Sequence, residues 1–92
     1  MMSISYDPIK NQINIQKHGL DFELVYDFDW DSAWIYEDNR RDYDEIRYIA
    51  YGMLEKRLHF VCFTEIDLGI RIISFRKANK REVKSYEQKS LN

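Results

Sequence analysis

The feature that most constrains the fold is a change of period near residue 33. Upstream, apolar residues fall at helical spacings; downstream they alternate, as side chains do on a half-buried sheet. Four alternating runs follow: Ala33 to Glu37, Ile46 to Met53, Arg57 to Thr64 and Ile70 to Phe75. The charged loop Asp38 to Asp44, the turn Leu54 to Lys56 and the loop Glu65 to Gly69 separate them. Such short connections suit hairpins and are too short for crossovers, so the four strands are expected to form an antiparallel meander.

Ahead of the meander, Ser3 to Tyr6 reads as a short strand. Asp7-Pro8 then starts a helix, Asp as N-cap and Pro at the first helical position, where its missing N–H costs nothing. That helix is expected over Pro8 to Lys17, with Ile9 and Ile13 as its apolar positions and His18-Gly19 as its stop. Asp21 caps a second helix over Phe22 to Phe28 with Phe22, Val25 and Tyr26 on one face. After Arg76 the alternation ends, and Lys77 to Lys89 reads as a basic helix with Ala78, Val83 and Tyr86 inward. A chain of 92 residues carries one such α+β domain, spanning 1–92, and lacks room for a second.

Composition excludes several classes. With 45% hydrophobic and 33% charged residues the chain is neither disordered nor membrane-spanning, and its apolar runs fall well short of the roughly 20 residues a bilayer requires. Residues 1 to 7 lack a signal peptide's basic and apolar regions, so a cytoplasmic location is expected. The single cysteine, Cys62, lies in an apolar run and suits a packed thiol. Neither histidine has a second His or Cys at zinc spacing, and Asp27, Asp29 and Asp31 lack the glycine and distal glutamate of a calcium loop. No cofactor or metal is expected.

Charge is unevenly distributed. Residues 1–45 hold 11 acids against 4 bases, a net of −7, while residues 46–92 hold 10 bases against 5 acids, a net of +5. A molecule with two electrostatic faces attracts phosphates on one and a basic partner on the other, unless folding mixes the halves. In the last strand, strict alternation puts Arg71 with Ile73 and Phe75, and Arg76 with Ile70, Ile72 and Ser74. The two arginines reach one cleft only if Arg76 sits at the corner into the helix. An arginine among apolar residues needs an anion, met either by a phosphate or by one of the chain's own carboxylates. Lys77, Lys80, Arg81 and Tyr86 offer cations and a ring to RNA, although a basic helix is equally a solvated one. Lys17 and His18 can hold an anion and move a proton; they also suit a helix C-terminus.

Three ordered blocks carry a family resemblance: Tyr6-Asp7-Pro8 with Lys10, Asn14, Lys17-His18-Gly19 and Phe22; Glu45-Ile46-Arg47 running to Gly52; and Arg71-Ile72-Ile73-Ser74-Phe75-Arg76-Lys77-Ala78 running to Glu82 and Tyr86-Glu87. Together they resemble the BrnT toxin family. The resemblance implies a RelE-like fold, a twisted antiparallel sheet of about four strands with two N-terminal helices and a C-terminal helix. It implies a metal-independent ribonuclease, an endoribonuclease of the mRNA interferase type, with Lys17, His18, Glu45, Arg47, Arg71 and Arg76 as site residues and Tyr86 in support. It further implies a hetero-oligomer with a BrnA-like antitoxin, through which alone the toxin meets DNA. A second reading is an inactive toxin-like module that acts only in an antitoxin–operator complex. The chain departs from the family pattern at Tyr6, where tryptophan is common, and at Phe75, where a small residue often follows the serine. The latter is expected to put a bulky ring beside the cleft.

Overall fold

The computed structural model describes residues 3–91. Its elements are β1 (Ser3–Ser5), α1 (Pro8–His18), a 3-10 helix (Phe22–Asp27), β2 (Trp34–Glu37), β3 (Tyr48–Leu54), β4 (Arg57–Ile66), β5 (Gly69–Lys77) and α2 (Lys80–Ser90). The strands form one sheet in the order β1-β5-β4-β3-β2. From β2 to β5 it is the expected antiparallel meander. The sheet nevertheless has five strands rather than about four and is mixed, because β1 joins parallel to the outer edge of β5, Ser3 opposite Gly69 and Ser5 opposite Arg71. Gly69 permits this approach: a side chain there would run into the Ser3 carbonyl.

α1 begins and ends as its caps dictate. Asp7 accepts a hydrogen bond from the Ile9 N–H at 2.9 Å, and Gly19, at a left-handed φ of 70°, donates its N–H to the Ile15 carbonyl at 2.7 Å. Its inward face corrects the sequence reading. Ile9 is 72% exposed, and the buried positions are Asn11 and Asn14. Asn11 accepts from the Phe22 N–H and donates to Asp21, while Asn14 bridges to the backbone of Phe75. The helix docks through amides because the strand edge beside it presents unpaired backbone groups, which apolar side chains would bury unsatisfied.

The second helix is 3-10 rather than α. Three residues per turn align Phe22, Val25 and Phe28, all buried, and leave Tyr26 exposed. α2 starts three residues later than the basic run suggests, because β5 continues to Lys77. The helix start is set at Asn79, which accepts from the Glu82 N–H while Glu82 accepts from the Asn79 N–H, both at 2.8 Å.

The sheet separates two apolar layers. One face, covered by α1 and the 3-10 helix, packs Phe22, Val25, Ala50, Val61, Ile72 and Phe75. The other packs Ile49, Tyr51, Leu58, Phe60, Cys62 and Ala78, with Val83 and Tyr86 of α2 over one end. Among the described residues no helix is long and apolar enough to cross a membrane.

Candidate active site

Partners directly opposite on neighbouring strands share a face, so the register of β4 with β5 shows where the arginines point. Phe63 is opposite Ile72 but Cys62 is opposite Ser74, which leaves Ile73 as the extra residue of a β-bulge. The bulge resets parity. Phe75 joins Ile70 and Ile72 in the α1-side core, and Arg76, opposite Phe60, emerges on the same face as Arg71, opposite Thr64. The expected separation of the two arginines is thereby removed within the strand. Phe75 is wholly buried on the opposite side and does not crowd Arg76. The other departure from the family pattern is also accommodated: Tyr6 packs edge-on against Phe22 and donates to Glu23 at 2.8 Å.

Two more guanidiniums join this face from the loop between β2 and β3. Arg47 stacks on Tyr43, 4.1 Å from the ring centre. Arg40 leans toward Phe60, at 5.9 Å, on whose ring Arg76 already lies at 4.0 Å. Arg40 is held by the buried Asp38, whose two oxygens accept from Nε and Nη2 at 2.8 Å each, and Tyr43 donates to the same carboxylate. The guanidinium keeps the Asp38 carboxyl down at about 2. Sequence reasoning missed Arg40; the only signal was the charge density of its loop.

Arg71 donates to Glu45 at 2.7 Å, and Arg47 Nε lies 3.6 Å from the other Glu45 oxygen, buried and without a hydrogen-bond partner among the described residues. These groups and Lys10 line a cleft of about 350 Å³ beside the start of α1. The Arg71–Glu45 pair is 43% and 36% exposed, a setting in which ion pairs are worth only about 0–1 kcal/mol, so an entering phosphate can displace the carboxylate. Arg76 is held more firmly. Glu82 accepts from its Nη1 and Nη2 at 2.8 and 2.9 Å, from the Tyr51 hydroxyl at 2.6 Å and from the Asn79 N–H, and its carboxyl is pushed down to about 2 by these donors against its burial. With a third bond to the Lys77 carbonyl, Arg76 uses three of its five N–H donors and leaves two unengaged among the described residues.

Thr64 and Phe60 are four residues apart on β4, so Arg71 and Arg76 spring from points about 13 Å apart. That spacing fits a run of phosphates better than a single one. His18, at the end of α1, stands within electrostatic reach of Arg76: partial desolvation, then Arg76 and Lys17, lower its affinity for a proton. Lys17 is exposed and makes no hydrogen bond or ion pair among the described residues. The other expected RNA contacts do not converge on the arginine cluster. Lys77, opposite His59, points to the other side of the sheet; Lys80 and Tyr86 line a groove between α2 and the β3–β4 hairpin; Arg81 is exposed on α2. Tyr86 anchors α2 by donating to the Ser32 carbonyl.

Fold and site together define a class: a small α+β protein presenting a guanidinium-lined sheet face with an aromatic floor, the chemistry that holds a nucleic-acid strand. Residues 6–82 match the family model described as ribonuclease toxin, BrnT, of type II toxin-antitoxin systems. The crystal structure of the Brucella abortus ribonuclease toxin, BrnT, is similar at 30% identity with a TM-score of 0.67, over 87% of this chain and 100% of that one. No curated protein matches the sequence. The chain belongs to the BrnT family of ribonuclease toxins.

Proposed function

We propose that this chain is an endoribonuclease that cuts messenger RNA without a metal ion and is held inactive by a BrnA-like antitoxin, which also links it to operator DNA. The observation that carries the reading is the gathering of Arg40, Arg47, Arg71 and Arg76 on one sheet face by a bulge and a loop. Metal-free cleavage joins the ribose 2′-oxygen to the adjacent phosphorus and breaks the bond from phosphorus to the 5′-oxygen. The 2′-hydroxyl proton passes to a base, and the leaving 5′-oxygen takes one up. Arg76, within electrostatic reach of His18, is suited to the charge that accumulates on the phosphoryl oxygens of the scissile phosphate, and Arg71 to a neighbouring phosphate of the same strand. His18 is the better base of the two candidates, because partial desolvation and the nearby Arg76 and Lys17 favour its neutral form, whereas Glu45 has its oxygens engaged by Arg71 and Arg47. Arg47 and Lys17 position the strand.

The test is purified chain with a synthetic RNA in EDTA. Fragments ending in a 2′,3′-cyclic phosphate and a 5′-hydroxyl are expected; Arg76→Ala should lower the rate ~10²-fold and Arg71→Ala should weaken RNA binding and its salt dependence, both while remaining folded. RNA binding without cleavage would instead establish an inactive module, a reading favoured by the carboxylates already seated on both arginines. Growth arrest on expression, relieved by a co-expressed antitoxin, tests the partner.

A further inference from the structure

The four guanidiniums account for a sugar-phosphate backbone and leave its bases without partners. Across the same face runs a row of residues opposite one another on successive strands: Arg76, Phe60, Tyr51 and Trp34. The row is in contact throughout. Arg76 lies 4.0 Å from the Phe60 ring centre, Phe60 is 5.7 Å from Tyr51, and Tyr51 is 5.9 Å from Trp34. Tyr36, two residues along β2 and therefore on the same face, is 5.0 Å from Trp34 and 6.3 Å from Tyr51, nearly parallel to the latter at 28°.

Exposure singles out one ring. Phe60 and Tyr51 are buried, and Trp34 carries the Lys89 ammonium 4.9 Å from its ring centre. Tyr36 is 37% exposed on an edge strand, with the rings of Trp34 and Tyr51 packed behind it. It stands three strand spacings across and two residues along from Arg76, about 16 Å, so a base upon it would belong to a nucleotide beyond the one whose phosphate meets Arg76. An exposed, backed ring beside a cationic face has the composition of a single-strand binding surface, where bases stack on aromatic faces and phosphates meet arginines.

We propose that Tyr36, backed by Trp34 and Tyr51, is a stacking platform for an unpaired base of the RNA whose phosphates the arginines hold. This rests on the ribonuclease reading above and adds a subsite to it. Because every base has a π-face, the platform selects single strand over duplex more than one sequence over another.

The test is fluorescence anisotropy of the full chain with a labelled single-stranded 2′-O-methyl RNA, which cannot be cut, and with the same strand carrying one abasic position stepped along it. Tyr36→Leu is expected to weaken binding of the intact strand roughly 10-fold, with Tyr36→Phe within about twofold of wild type. Wild type should suffer a similar loss at one abasic position, to which Tyr36→Leu is indifferent. If Tyr36→Leu binds the intact strand as wild type does, or still loses affinity at that position, the platform is refuted while cleavage of ordinary RNA by wild type keeps the ribonuclease reading standing. If Tyr36→Leu weakens antitoxin binding and leaves RNA binding unchanged, the ring belongs to a protein interface and the proposal fails. If wild type neither binds nor cuts single-stranded RNA, both readings fall.

Discussion

Replacing Asn14 with alanine is expected to remove about 3–5 kcal/mol of stability and to loosen the Lys17–His18 turn from β5. β1 pairs only with Gly69 to Arg71, so among the described residues the edge of β5 beyond it has no strand partner. Asn14 substitutes for one. Its amide donates to the Phe75 carbonyl at 2.8 Å and to the Leu20 carbonyl at 3.0 Å, and its oxygen accepts the Phe75 N–H at 3.1 Å, all in buried surroundings. Each backbone group left without a partner costs about 1–3 kcal/mol, and water entering the vacated space recovers part of this, which sets the sum toward the lower end. Domains of this size are stable by about 5–15 kcal/mol and lose roughly 4–8 °C of Tm per kcal/mol, so Asn14→Ala should melt at least about 12 °C below wild type. Urea denaturation should show a lower midpoint at unchanged slope, with Gln12→Ala, exposed on the same helix, as the neutral control. An Asn14→Ala protein melting within about 3 °C of wild type would refute the claim that the amide completes the sheet edge.

Glu82→Gln should destabilise the fold by about 1–3 kcal/mol through the weakened bond from the Asn79 N–H and the lost ion pair, yet tighten RNA binding and steepen its salt dependence by about one phosphate; an unaltered salt slope would speak against Arg76 facing RNA. Acid stability follows from Asp38 and Glu82, lowered from 3.8 and 4.5 to about 2. Their contribution is full above the unfolded-state values and vanishes as pH falls through about 2, so the urea midpoint should hold from pH 7 to 5 and drop between pH 4 and 2, with a shallower drop in Asp38→Asn. With its pKa lowered from 6.5, His18 as base predicts an acidic limb of the cleavage profile centred below pH 6.5, absent in His18→Gln. Gly69→Ala should force β1 off β5 and abolish amide-exchange protection at Ser5 while sparing the meander.

Period and capping made much of this fold legible before any coordinates. The alternation after residue 33 foretold the meander, and Asp7-Pro8 and Gly19 bounded α1, because these signals act between residues close in the chain. The ordered blocks named Lys17, His18, Glu45, Arg47, Arg71 and Arg76 as candidates. What decided the site was not local. The bulge at Ile73 exists only against the register of β4, and it alone brings Arg76 to the face of Arg71. The parallel pairing of β1 with β5 joins residues more than sixty positions apart, which no short-range pattern encodes. Asn14 was one residue of an ordered block, with no role assigned, until the open edge of β5 gave it a partner, and Arg40 belonged to a charged loop until the burial of Asp38 aimed it at Phe60. Sequence states which groups a chain owns and how each segment prefers to lie. Which groups meet is settled by packing, since burial leaves no polar atom unpaired without cost and so selects, among many possible partners, the ones that satisfy it.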